Sequence, residues 1–304
     1  MSERKAASAS GPAIGIAGAG RVGQAMGRLL RERGARVVAL AGRNSARTAA
    51  AAAFIGPGVV PVSYAELPAE ATHLLIAVPD QALMSVAGQL AAALPYDPLD
   101  ALSRVFLHTC GARGVEALAA LSATGAMCGV LHPLQTFATP QQGVQALPGA
   151  AFAYSGSPEA AEWAAELVML LGGEILRLRS GTQPLYHAAA VLASNCVTAL
   201  VDSAMQLLAQ AGLDQTEALR VLSPLLLASA NNTALLGPEN ALTGPIERGD
   251  AETITAHLRA LASAPEGVRS LYRAAGLQTV ALARRKHPDS NFDAIEALLR
   301  PAAS

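Results

Sequence analysis

Lysine is almost missing from this 304-residue chain: Lys5 and Lys286 are the only two. That limits which groups can move protons here. Aromatic residues are scarce as well, at 4%, although the hydrophobic fraction is 52%. Much of that fraction is alanine, which suits closely packed helices. Charge of one sign is also lacking. The net charge of -1 gives nucleic acid or an anionic membrane no strong attraction. The three cysteines, Cys110, Cys128 and Cys196, lack metal-type spacing, so no metal site is expected. Their odd number suggests a reducing compartment, and a cytoplasmic protein is expected. The opening "MSERKAASASGP" has no apolar core of the signal-peptide kind and reads as a short disordered tail over residues 1–11. The longest apolar stretch, 188–213, contains Asn195, Asp202 and Gln206. It reads as a buried helix rather than a membrane span.

What is present is an alternation. Seven short apolar runs lie between residues 13 and 178, with helical segments such as 21–33, 81–93 and 157–171 between most of them. Strands alternating with helices imply a mainly parallel sheet covered on both faces. Beyond Arg179 the strand signals stop. The rest reads as helix, broken at Gly212, Pro224, Gly237-Pro238 and Gly244-Pro245. An α/β domain over 12–180 followed by an all-helical domain over 181–304 is therefore expected.

The first apolar run leads directly into Gly18-Ala19-Gly20-Arg21-Val22-Gly23. Alone, the pattern is weak. Between a strand and an amphipathic helix it is the fingerprint of a dinucleotide site. Gly18 allows the turn, Gly20 lets backbone approach a pyrophosphate, and Gly23 lets helix lie close to sheet. The helix N-terminus then offers free N–H groups to the phosphates. The fold class is thus α/β: a Rossmann-type doubly wound sheet followed by the helical domain. The end of the second strand selects the cofactor. It carries Arg43, Asn44 and Ser45, with no carboxylate to hold ribose hydroxyls or repel a 2′-phosphate. NADP is expected over NAD, with Arg43 on the phosphate and Asn44 and Ser45 as neutral donors. The alternative for Arg43 is a solvated loop residue. Val78 and Pro79, ending the "HLLIAVP" run, lie along the path to the nicotinamide. Asp80 reads more simply as a helix N-cap.

A glycine fingerprint domain followed by helices resembles the 6-phosphogluconate dehydrogenase-like superfamily. The β-hydroxyacid dehydrogenases and ketopantoate reductase of that group protonate substrate through a lysine early in the second domain's first helix. The matching helix here, "PLYHAAAVLASNCVTALVDSAMQLL", has none. Histidine becomes the natural proton carrier. His108 and His132 end strands, where ligands bind in such sheets, and His187 begins the helix. His187, Ser194, Asn195, Thr198 and Asp202 fall on one stripe of a continuous helix. The stripe either lines the site or sits in a subunit interface.

"LHPLQTF" around His132 resembles the His-Pro element of prephenate dehydrogenases, and Thr109 in "LHTCG" stands nearest to their catalytic-site serine. A closer match runs over nearly the whole chain. The glycine loop, "LHTCGARG", "LHPLQTF", "YHAAAVLASN" and "LTGPIERGD" are similar to an uncharacterised bacterial family. That family joins a Rossmann-like NADP-binding domain to a helical domain of unknown function. The combined reading is an NADP-dependent oxidoreductase acting on a small carbonyl or hydroxy substrate that bears a carboxylate. His132, with His187 as second choice, is the acid/base. Thr109, Gln135 and Asn195 orient the substrate oxygen, and Arg248 holds the carboxylate. Alternatives stay open: His132 as a strand-end residue bonded to backbone, and Arg248 in a subunit contact. A ketopantoate- or imino-acid-type reductase and a non-catalytic NADP(H) sensor are the rival functions. Asp250 reads as an N-cap. The alanine-rich helix suggests a homodimer built through the helical domain.

Overall fold

The computed structural model describes residues 11–94, 103–179 and 181–300. The tail expected over 1–11 therefore lies, except for Gly11, outside the described residues. In chain order the elements are β1 (Ile14–Ala17), α1 (Arg21–Glu32), β2 (Val37–Ala41), α2 (Ser45–Ile55), β3 (Val60–Val62), α3 (Leu67–Glu70), β4 (His73–Ile76) and α4 (Leu83–Ala92). They continue with β5 (Val105–His108), a 3-10 turn (Val115–Leu118), α5 (Ala119–Ser122), β6 (Met127–Pro133), α6 (Pro140–Ala146), β7 (Ala151–Gly156), α7 (Pro158–Leu171), β8 (Glu174–Arg177) and α8 (Gln183–Ala193). Five further helices follow: α9 (Asn195–Gln210), α10 (Gln215–Ala241), α11 (Ala251–Ala260), α12 (Glu266–Lys286) and α13 (Asp293–Leu299).

The chain divides into two compact units, Met1–Leu192 and Ala193–Ser304. The change of sequence pattern near residue 180 put α8 with the helices; by its contacts nearly all of α8 belongs with the sheet. The eight strands run β3-β2-β1-β4-β5-β6-β7-β8. All neighbours pair in parallel except β6 with β7, which are antiparallel. The sheet is thus doubly wound and mainly parallel. Its central strands are apolar on both faces because helices cover both. Met26, Leu30 and Leu75 pack with Phe152 on one side, and Leu74, Leu83 and Phe106 pack on the other. One strand escaped the sequence pattern. β3 is only Val60-Pro61-Val62, and proline withdraws a ladder donor, which is tolerated at an edge.

In the second unit Ile246, Ile254, Val280, Phe292 and Leu299 form the main core. Three expectations are corrected here. The apolar stretch from 188 is not one continuous helix: Ser194 (φ -129, ψ -75) separates α8 from α9, so the polar stripe from His187 to Asp202 is interrupted. Nor is the stretch buried. Residues 183–210 have a mean hydropathy of 1.5 over an apolar window of which 0% is buried, long and apolar enough by composition to cross a membrane. Leu207 is half-buried against Leu261, Ala264 and Val268, while Leu192 and Leu200 are exposed. Pro224 does not break a helix, since α10 runs through it; the break expected at Gly237-Pro238 is present as a kink at Gly237 (φ 75, ψ 159). Asp250 does cap α11, accepting from the Thr253 N–H at 2.9 Å.

Candidate functional site

The turn from β1 into α1 shows a separate steric reason for each glycine. Gly18 has φ +125, and an added Cβ would lie 2.2 Å from the Ala77 carbonyl oxygen. At Gly23 a Cβ would meet the Gly18 oxygen at 2.3 Å, so helix and strand pack too closely for any side chain. At Gly20 the nearest atom is 3.9 Å away, leaving its α-carbon open. Gly20 is also the N-cap of α1, with no side chain bonded to the first turn and no acidic residue in it. The uncapped N–H groups are available to an anion. Ala19 and Val22 are half-buried beside the turn, and Arg21 is exposed, donating to the Ala138 carbonyl at 3.3 Å. That bond ties the loop after β6 to the glycine turn.

Three strand ends surround a cavity of about 730 Å³ next to this turn. Gly42 and Arg43 follow β2, Ser63 and Tyr64 follow β3, Pro79 follows β4, and Gln89 closes it from α4. Arg43 is exposed. Burial raises the Tyr64 phenol above its usual value, while nearby Arg43 pulls it down. Asn44 has a task the sequence reading did not assign: its side chain caps α2, accepting from the Arg47 N–H at 2.9 Å. Ser45 is exposed at the first position of that helix. Val78 sits against the glycine turn, with Cγ1 3.2 Å from where a Gly18 Cβ would be.

The histidines separate cleanly. His108 is fully buried. Its Nδ1 accepts the Cys110 N–H at 3.2 Å and its Nε2 lies 3.1 Å from the Gly114 carbonyl. An accepting Nδ1 leaves the proton on Nε2, so His108 pins its own loop and stays neutral. His132, on the same C-terminal edge of the sheet, has Nδ1 2.9 Å from the Tyr186 hydroxyl. Burial first, then the His187 ring, push its pKa down to about 4; Asp80 pulls it up, and His108 adds a smaller push down. Burial pushes Tyr186 up to about 12. His187 stands edge-on to His132, ring centroids 5.9 Å apart. Its Nδ1 is buried without a hydrogen-bond partner, an arrangement that costs about 1–3 kcal/mol.

Tyr186 and Asp80 were missed by sequence reasoning. The signal for Tyr186 was its place in "YHAAAVLASN": Gln183, Tyr186 and His187 share one face of α8. Gln183 is buried and donates to Ser155 Oγ at 2.8 Å, which seats that face against β7. Asp80 does not cap α4, whose N-cap is Ala82 with no side-chain bond. Instead it stands beside Cys110, and burial first, then the Asp80 carboxylate, push that thiol up to about 11. Thr109 is half-buried at the end of β5, its N–H bonded to the Ile76 carbonyl at 3.0 Å. Gln135 uses its amide within its own loop, donating to the Ala146 carbonyl at 3.1 Å and accepting from the Thr136 N–H at 2.8 Å. In the second unit Asn195 Oδ1 accepts from Ser194 Oγ at 3.1 Å, and Arg248 is exposed.

Comparison with known proteins agrees with this architecture. Residues 3–133 match the model of a Rossmann-like domain, and residues 150–279 match a domain of unknown function, DUF2520. No curated protein sequence matches the chain. Among solved structures, a Bacteroides fragilis protein titled as a candidate NADP oxidoreductase superposes with a TM-score of 0.71 at 23% identity, over 92% of this chain and 100% of that one. A Streptomyces aurantiacus imine reductase gives 0.61 at 16%, covering 95% and 100%. An Aspergillus terreus reductive aminase, solved with NADPH and ethyl-5-oxohexanoate, gives 0.58 at 21%, covering 95% and 93%. The chain thus joins a region similar to a Rossmann-like domain, residues 3–133, to a region similar to DUF2520, residues 150–279.

Proposed function

We propose that this protein is an NADP-dependent oxidoreductase for a small carbonyl, imine or hydroxy compound bearing a carboxylate. The observation that carries the reading is one sheet edge holding both halves of such a site: an open, uncapped glycine turn beside Arg43, and a half-buried His132–Tyr186 pair. The residues fit the cofactor. Gly18 to Gly23 would hold the pyrophosphate, Arg43 and Ser45 the 2′-phosphate, and Val78 with Pro79 the path to the nicotinamide. Bound NADPH supplies a hydride. Several neighbouring structures, including imine reductases and a pyrroline carboxylate reductase with NADP bound, support the same class.

A histidine held near 4 is neutral at pH 7. It then serves as a base or a hydrogen-bond partner and not as a cationic acid. The acid beside it is Tyr186. With its proton on Nδ1, His132 donates to the Tyr186 oxygen and frees the phenolic O–H to protonate the substrate. In the reverse direction the same arrangement returns the proton: the Tyr186 phenolate, held by the Nδ1–H, takes it from the substrate. A phenol near 12 gives up its proton only to a strongly basic atom, such as a carbonyl oxygen or imine nitrogen receiving a hydride. Thr109 orients that atom. The roles expected of Gln135, Asn195 and Arg248 rest on the sequence pattern.

One observation favours a non-catalytic NADP(H) sensor: His132 Nδ1 is already taken up by the Tyr186 hydroxyl at 2.9 Å. NADPH consumption against a panel of 2-oxo acids and cyclic imines separates the two. Turnover of any of them that falls about 10²–10⁴-fold in His132→Ala supports the enzyme. Tight NADPH binding without consumption supports the sensor, and no NADPH binding removes both. We also place the protein in the cytoplasm on its odd cysteine count. We propose a homodimer through the helical unit, where α9 buries no residue and α10 only Ala218, exposing Leu225, Leu227 and Leu235.

A further inference from the structure

Gly111, in the "LHTCGARG" stretch, is not a glycine for its backbone. It is absent from the glycines that adopt positive φ, so its conformation suits any residue. The constraint is space. A Cβ on Gly111 would lie 2.7 Å from His132 Nε2, 2.9 Å from His132 Cδ2 and 2.8 Å from His187 Nδ1. Non-bonded heavy atoms pack at about 3.5–4 Å. The atoms come from two rings on separate elements, β6 and α8, nearly perpendicular at 82°. Both imidazoles converge on the single point where every other amino acid carries a β-carbon. Gly111 itself is buried, so the rings cannot be relieved by shifting the loop outward without exposing it.

We infer that Gly111 is a positioning residue: its missing side chain is the space that lets the His132 ring sit against His187 and keep its bond to Tyr186. The catalytic meaning of this placement rests on the function proposed above; the geometry does not. The groups facing His132 are Tyr186 and His187 from α8, His108 from β5 and Asp80 from the loop after β4. A methyl group at position 111 displaces one or both rings. The ring with the most to lose is His132, which is held neutral by burial and by its neighbours.

Two measurements test this without cofactor or substrate. In the first, the ring C–H resonances of His132 are titrated by NMR. Gly111→Ala is expected to move the midpoint upward from about 4 by a unit or more, toward the ordinary histidine value of about 6.5. Gly88→Ala, at a helix position with nothing within 4 Å, should leave it in place. The second compares melting temperatures. Gly111→Ala should lower Tm in the natural background and not in a His132→Ala/His187→Ala background, where the colliding atoms are gone. An unchanged His132 titration, or an equal loss of Tm in both backgrounds, overturns the inference. If Gly111→Ala does not fold by itself, the triple variant decides: folded supports, unfolded overturns. A protein that consumes no NADPH would defeat the proposed function and leave these two results standing.

Discussion

Acidification is expected to destabilise the sheet unit through His132. Folded, the ring holds its proton only below about 4, chiefly because burial and the His187 ring oppose a positive charge. In the unfolded chain it protonates near 6.5. Between these values the unfolded state binds more protons, so stability falls as the pH falls, by up to about 1.4 kcal/mol per pH unit. The full contribution is present above about 6.5; below about 4 both states are protonated and the loss ends. The ceiling over the window is about 3 kcal/mol. Trp163 is the single tryptophan and is buried in the same unit, so its fluorescence follows the relevant unfolding. Urea melts of wild type and His132→Asn between about pH 7 and about pH 4.5 isolate the ring, because asparagine keeps a hydrogen-bonding group and does not titrate. Half-buried His73 and buried His108 also have lowered values, but they are common to both proteins. The wild type should lose up to about 3 kcal/mol more than the variant across the window. Parallel curves would refute the reasoning.

Arg43→Ala should weaken NADPH binding by about 10–100-fold, the worth of a charge-assisted phosphate contact, and NADH binding hardly at all; equal losses in a calorimetric comparison contradict the phosphate assignment. Gly23→Ala places a Cβ 2.3 Å from the Gly18 oxygen, so it should weaken NADPH and NADH alike, and unaltered affinity would show that the turn is not the cofactor seat. Tyr186→Phe should cut turnover by about 10²–10⁴-fold while the Kd for NADPH stays put; a fall in binding instead would make Tyr186 structural. Light scattering should find a dimer, and Leu225→Glu with Leu235→Glu, at positions 65% and 74% exposed, should yield monomers; a monomeric wild type removes the proposed interface.

Local chemistry determined much of this protein. Alternating apolar runs, a glycine turn between strand and helix, and Asp250 before a helical pattern all act within a few residues, where steric and hydrogen-bonding rules apply directly to the chain. The doubly wound sheet, the glycine turn and the arginine after β2 could therefore be read along the sequence. The break at Ser194, the course of α10 through Pro224 and the antiparallel entry of β7 could not, because packing overrides propensity there. The site chemistry was also decided in three dimensions. His108 and His132 look alike as strand-end histidines, yet backbone groups of one loop lock the first, and a tyrosine 54 residues away meets the second. Gly111 reads as an ordinary loop glycine until β6 and α8 bring two imidazoles against it. Proton affinity depends on burial and on neighbours distant in sequence, and only the folded chain sets those.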